Sequence, residues 1–347
     1  MSLDFPIFRP HPLLRGGHVQ TIVGCYLPWR RVPYRAVQHL VPLDDGDKIV
    51  LHDDRPPDWQ PGGDAVLMAH GLGGCHLSGY MRRGVVKQNA RGYRVFRMDL
   101  RGCGAGFAHA RHPIHAGRSD DALAALRFVM NLCPQSSVHM VGFSMGANIV
   151  LKMAGELAAN PPAELASVMA VCPPIDLMEC SRNIQLGKNI LYDRSFLSGL
   201  MRHLERRKKL VPDALVRPLQ PRPRRLFDFD SQFTAPLAGF ADAQDYYTRA
   251  SSGPLLRHIT VPTLIVTAAT DPIIPVGSFE RATYSPTTEL VITPCGGHLG
   301  FVAKRGIDPD IRWLDWRIIE WISSHVKDRR PPPPHSRPAG KTRTIAH

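Results

Sequence analysis

A chain of 347 residues with 44% hydrophobic content can bury a full core, and its length suits one large domain with an insertion better than two independent ones. The net charge of +13 is concentrated: residues 202–225 hold nine Lys or Arg against two acids and residues 326–347 hold six against one, so those segments carry 12 of the 13 excess charges and the body is nearly neutral. That distribution, with no binding motif and no aromatic-studded basic groove, argues against a nucleic-acid partner.

No stretch approaches the ~20 apolar residues of a membrane span, and the first 14 residues hold an acid and three prolines where a signal peptide needs an apolar run. Seven cysteines without paired spacing suit a reducing compartment, so the expected location is the cytoplasm.

In chain order, residues 36–41 and 48–52 read as antiparallel edge strands, and residues 65–69 as a buried strand ending in His70-Gly71-Leu72-Gly73-Gly74. A strand at 94–98 leads into Asp99. The apolar run at 138–142 meets Gly142-Phe143-Ser144-Met145-Gly146 and then a helix-forming stretch from Ala147, which is a strand, a sharp turn and a helix with a hydroxyl at the apex. The turn needs glycine two residues either side of Ser144 because a Cβ there would meet the neighbouring strand or helix. Further strands at 167–171, 263–268 and 288–293 complete the βαβ rhythm of a mostly parallel sheet covered by helices on both faces.

Between the sixth and seventh of these strands the chain is too long for one crossover, which predicts a helical cap over about 176–254. Phe196, Leu197, Leu200, Met201 and Leu204 fall at helical spacing, with Arg202, Glu205, Arg206, Lys208 and Lys209 on the other face. The apolar stripe is expected to pack on the body; direct contact with an acyl chain is the alternative. The basic face reads as a solvated helix face, with peripheral contact to an anionic membrane surface as the rival reading. Residues 1–328 form the domain, and the Pro/Arg-rich segment 329–347 is expected to be disordered.

A serine hydroxyl is a poor nucleophile until a base removes its proton, and the base needs an acid to hold its tautomer. Asp271 sits beyond the strand at 263–268, at the strand end where open α/β sheets place ligands. Asp99 and Asp176 also follow strands; Asp99 reads as the organiser of its own turn, and Asp176 is the competing acid. In the order Ser, Asp, His, only His298, His325, His335 and His347 follow Asp271, and His298 alone lies in a glycine-rich loop after a strand. The negative charge that acyl transfer builds on the carbonyl oxygen calls for two backbone amides, assigned to Leu72 and Met145.

Other side chains are assigned no chemistry. His70 reads as a hydrogen-bonded structural histidine, and His18 has no assigned role. His109, His112 and His115 have metal-like spacing, but Pro113 breaks any helix that would align them. Cys75, Cys103 and Cys295 read as small packing residues. The expectation is no metal and no cofactor.

These segments resemble the α/β-hydrolases and, within them, the YheT-like branch. Gly17-His18-Val19-Gln20-Thr21-Ile22, Asp99-Leu100-Arg101-Gly102-Cys103-Gly104 and His115-Ala116-Gly117 are similar to that branch, as are 230–234, Gly239-Phe240, Asp245-Tyr246-Tyr247 and Ser251-Ser252 in the cap. Gly74-Cys75-His76 departs from the small polar residues common in relatives. The resemblance implies the α/β-hydrolase fold, Ser144, Asp271 and His298 as the triad, and hydrolysis of carboxylic esters of short- to medium-chain or lipid-like acyl groups through an acyl-enzyme on Ser144. Transfer of the acyl group to an alcohol is the alternative it implies.

Overall fold

The computed structural model describes residues 5–30, 32–306 and 308–326; the segment expected to be disordered, 329–347, lies outside them. Eight strands form one sheet: β1 (Val37–Pro42), β2 (Lys48–Asp54), β3 (Ala65–Ala69), β4 (Arg94–Asp99), β5 (Val138–Phe143), β6 (Leu165–Val171), β7 (Thr263–Ala268) and β8 (Thr288–Thr293). Their order across the sheet is β1-β2-β4-β3-β5-β6-β7-β8. The β1–β2 and β2–β4 pairs are antiparallel and every other pair is parallel, so the hairpin at 37–54 closes one edge.

β3, β5, β6 and β7 read as largely apolar runs because helices bury both faces of the sheet, and their residues are almost all inaccessible; β4 is equally buried but carries Arg94, Arg97 and Asp99, which pair with Asp53, Asp54 and His52. The edge strand β8 is half-buried on both faces, with only Thr293 fully buried. Around the sheet lie α1 (Gly17–Tyr26), α2 (Gly79–Asn89), α3 (Ser119–Leu132), α4 (Met145–Leu157) and the carboxy-terminal helix Trp313–Ser324. α4 is apolar around most of its circumference because the sheet covers one side and the 3₁₀ turn Gly253–His258 the other, with Gly155 against Leu255.

The register brings the site together. Ala69 on β3 lies opposite Gly142 on β5, so the turns carrying Leu72 and Ser144 leave the sheet side by side. Phe143 faces Val171, Val171 faces Val266 and Ala268 faces Thr293, which puts the loops after β7 and β8 on the same carboxyl edge.

Between β6 and β7 come α5 (Leu177–Asn183), the long α6 (Ile190–Leu210) and shorter turns that include a π-helical turn at Asp230–Thr234. The apolar stripe of α6 does not simply lie on the body. Leu197 and Leu204 form a small separate core with Phe229 and Phe233, while Phe196 packs against the main core. Insertions that close over a cavity cannot rest their whole apolar face on the sheet, so part of it turns inward on itself. Part of the hold on the body is polar: buried Arg207 donates to the carbonyls of Ala110 and Arg111 at 2.6 and 3.0 Å.

Candidate active site

Ser144 stands between β5 and α4 with φ 52° and ψ −121°, a left-handed conformation that non-glycine residues rarely adopt. The turn can exist because both flanking glycines are pressed against backbone. A Cβ on Gly146 would lie 2.4 Å from the His70 carbonyl oxygen, and one on Gly142 would lie 2.4 Å from the Ala147 Cα. The strain leaves the Ser144 hydroxyl pointing away from the sheet, where its Oγ lies 2.8 Å from His298 Nε2.

On the other side of the ring, His298 Nδ1 lies 2.9 Å from Asp271 Oδ2. The second oxygen, Oδ1, accepts the amides of Ile273 and Ile274 at 2.8 and 3.0 Å, which fixes the plane of the carboxylate. A carboxylate against Nδ1 keeps the proton on that nitrogen and leaves Nε2 free to take the serine proton. Asp271, not Asp176, therefore faces the histidine: Asp176 is the N-cap of α5 and accepts the Glu179 amide at 2.9 Å. The loop containing Pro272 and Pro275 orients one acid toward the site, and helix capping consumes the other.

Leu72 and Met145 line the same cavity as Ser144. Met145 is the first residue of α4, so its amide has no acceptor within the helix. The turn that contains Leu72 is closed by Gly74 N donating to Gly71 O at 3.0 Å and held from outside by Gly71 N donating to the Tyr80 hydroxyl at 3.0 Å. Burial pushes the Tyr80 phenol up to about 12, so it remains a neutral hydroxyl.

The segment 17–22 forms the supporting layer behind His298. Thr21 Oγ1 accepts the His298 amide at 2.8 Å, and the buried Gln20 both accepts from Val302 N at 2.8 Å and donates to Val302 O at 3.1 Å. α1 approaches this loop so closely that a Cβ on Gly300 would lie 1.9 Å from the Gln20 carbonyl. The sequence singled the segment out without a role; its Gly, Gln and Thr content was the available signal, since small and amide-bearing residues suit backbone-to-backbone packing. His18 instead reaches the helices above the sheet: its Nδ1 lies 3.0 Å from the Tyr192 hydroxyl of α6, with the two rings parallel.

The remaining candidates are structural. Leu100 N donates to His70 Nε2 at 3.1 Å, so the proton sits on Nδ1 and is given to Gly71 O at 2.7 Å; burial lowers the pKa of this ring and keeps it neutral. Asp99 accepts from the amides of His76 and Ala105 at 2.6 and 2.7 Å and meets the rings of His52 and His76 at 2.9 and 2.8 Å. Burial works to raise its pKa, but the hydrogen bonds from both histidines outweigh burial and hold the carboxyl well below the usual range.

Among the described residues, three groups of side chains bring ligand-type atoms within 4.8 Å of one another: His52–His76–Asp99, Cys172–Asp271–His298 and Asp45–Asp47–His112. The first two are the hydrogen-bonded sets just described, with Cys172 beside the second. In the third, Arg101 bonds Asp45 and Asp47 at 2.6 and 2.7 Å and so supplies the cation. His109 and His115 join none of them. Burial raises the thiols of Cys75, Cys103 and Cys295, that of Cys103 to about 12, which keeps them protonated and poor nucleophiles.

Two cavities meet at Ser144. One runs beneath α6 and is walled by apolar side chains such as Ile114, Phe196, Leu200 and Phe229, with Asp230 and Tyr247 also in its wall. The other, the more spacious, opens to solvent between α1 and the start of α6, past His18, Ile22, Tyr26, Lys188, Leu191 and Tyr192, and also touches His298.

Residues 64–304 match the family model described as alpha/beta hydrolase fold. YheT of Escherichia coli (strain K12) is 30% identical over 318 residues, covering 89% of this chain and 91% of that protein. Phospholipase ABHD3 of Mus musculus is 24% identical over 266 residues, covering 76% and 64% respectively. Among solved structures, the Pyrococcus furiosus esterase Pf2001 superposes with a TM-score of 0.54 at 15% identity over 93% of this chain and 99% of that one, a likeness of fold.

Proposed function

The chain belongs to the α/β hydrolase family and to its YheT-like branch, and from that premise we propose that it is a serine esterase acting through an acyl-enzyme on Ser144. The observation that carries this reading is the unbroken line Ser144 Oγ, His298, Asp271, with 2.8 Å and 2.9 Å separations. His298 Nε2 takes the hydroxyl proton as Oγ bonds to the ester carbonyl carbon. The amides of Leu72 and Met145 hold the oxyanion of the tetrahedral intermediate. Collapse breaks the bond to the alcohol oxygen, which leaves with the proton from His298. Water then gives a proton to the same nitrogen as it attacks the acyl-enzyme, and collapse breaks the bond to Ser144 Oγ, which takes that proton back as the carboxylic acid leaves.

The apolar wall beneath α6 suits an acyl chain of medium length or a lipid-like acyl group. In the same direction, relatives include proteins named as a phospholipase and, in Danio rerio, a monoacylglycerol lipase. The second cavity gives an alcohol a seat beside His298, so acyl transfer to an alcohol is the second reading. Measuring ester formed against acid released in the presence of ethanol separates the two.

Labelling with a fluorophosphonate probe tests the nucleophile. The parent protein is expected to label, and Ser144→Ala, with an unchanged melting temperature, is expected not to. Equal labelling of the two proteins overturns the assignment.

A further inference from the structure

α1 has two faces with different work. Gln20, Thr21 and Gly24 are buried against the loop that carries His298. On the opposite side Val19, Ile22 and Tyr26, at spacings of three and four residues, are 40%, 52% and 79% exposed. Ile22 and Tyr26 stand in the wall of the cavity that opens onto Ser144 and His298, and so does Leu191 at the start of α6. Leu191 is 65% exposed and Leu186, just before it, 64%. Large apolar side chains left in water around the mouth of an active-site cavity mark a surface meant to be covered.

The charge around this mouth has one sign. Residues 5–43 and 65–98 contain no Asp or Glu, and residues 180–204 contain only Asp193, which is buried and accepts the Leu226 amide. Those segments supply α1, the turn carrying Leu72, α2 and the start of α6. Arg15, Lys188 and Arg194 on them are exposed, and Lys188 stands in the wall of the cavity. Apolar side chains set among cations with no exposed acid complement a layer of anionic head groups over acyl chains. Among the described residues no helix is long and apolar enough to cross a membrane, so contact through these residues is with the surface of a bilayer.

We propose that the face around this mouth, led by Val19, Ile22 and Tyr26 of α1, docks on an anionic lipid surface, from which the ester substrate passes to Ser144 without crossing water. This placement differs from the basic stretch 202–225, whose charge lies on the cap and not on the cavity mouth. The delivery of substrate rests on the esterase reading; the docking itself does not, and the test below needs no catalysis.

The full chain carrying Ser144→Ala, so that lipid is not consumed, is floated with vesicles of phosphatidylcholine containing about one-third phosphatidylglycerol and with vesicles of phosphatidylcholine alone. Binding to the anionic vesicles is expected to exceed binding to the neutral ones by at least about tenfold. Val19→Ser, Ile22→Ser and Tyr26→Ser together should reduce it by about tenfold or more, and Val19→Asp alone, at an outward position, by a smaller factor in the same direction. Lys208→Gln with Lys209→Gln on the cap should leave it within about twofold. Circular dichroism and melting temperature establish that each variant is folded. The proposal is overturned if the parent does not float, if the α1 variants float like the parent, or if the cap variant loses as much. A dimer that the α1 substitutions dissolve would assign the face to a second copy and overturn it as well. Esterase activity without flotation removes this inference alone, whereas flotation without esterase activity removes the function proposed for Ser144.

Discussion

The sheet body and the helices between β6 and β7 are held together by different means. In the body, one continuous apolar cluster runs through β3 to β7 and both helical layers, and Ser144 and His298 stand on turns where backbone presses on backbone. Above it, Cys180, Ile184, Ala235, Tyr246 and Tyr247 still join that cluster, but Leu197, Leu204, Phe229 and Phe233 form a separate four-residue core supplemented by buried polar bonds, with Asp230 accepting the Thr234 and Tyr247 hydroxyls, each at 2.6 Å. The contrast teaches that the positions of Ser144 and His298 are tied to a core that tolerates little change, while the part of the cavity wall built by Leu204, Phe229 and Phe233 rests on a smaller core and can vary at lower cost.

The largest effect should come from the body. Asp271→Asn leaves the volume of the site intact but favours the wrong tautomer of His298, and kcat for ester hydrolysis is expected to fall on the order of 10⁴-fold with little change in melting temperature. A loss under tenfold would mean that the acid does not set the tautomer. Gly146→Ala comes next: its methyl would fall on two carbonyl oxygens at 2.4 and 2.6 Å, so about 3 kcal/mol of stability and most of the activity should go together in denaturant and kinetic measurements.

The cap should respond through charge. Burial pushes the Asp230 carboxyl up to about 6, the hydroxyls of Thr234 and Tyr247 pulling the other way. A raised carboxyl pKa means that the folded state holds a proton which the unfolded state has released, so this group's contribution is full below about pH 4 and is lost as the pH rises through about 6. Asp230→Asn removes that titration. The melting temperature of the parent relative to the variant should therefore improve on acidification from neutral pH to about pH 4, by an amount corresponding to at most about 3 kcal/mol. A pH-independent difference would show that the carboxyl does not titrate in this window.

The smallest effect probes the layer between α1 and the histidine loop. Thr21→Val keeps the shape but leaves the His298 amide without its 2.8 Å acceptor, which should cost about 1 kcal/mol and lower kcat several-fold more than it raises KM. If stability falls and kcat/KM does not, the bond supports the fold without placing the base.

Much of this was legible before any coordinates. The strands at 65–69 and 263–268 match those read from apolar runs bounded by turn residues, because fully buried parallel strands leave an unbroken apolar signature; the half-buried edge strand at 288–293 was marked by its central Leu290, Val291 and Ile292. Ser144 was marked by its glycines, and His298 by being the one histidine after Asp271 in a glycine-rich loop. The role of 17–22 was not legible, because Gln20 and Thr21 bond to backbone at 298 and 302, and a partner nearly three hundred residues away leaves no local pattern. The stripe on α6 was visible, but the surface it would meet was not.

The amino-acid sequence by itself determined the sheet, the strained serine turn and the order of serine, acid and histidine, since each follows from spacing within a few residues of a strand. Only the tertiary structure decided which of two carboxylates meets the imidazole, how α1 clamps the loop behind it and where apolar side chains remain in water. Those outcomes depend on strand register and on contacts between distant segments, and the energy that selects them exists only once the chain has closed on itself.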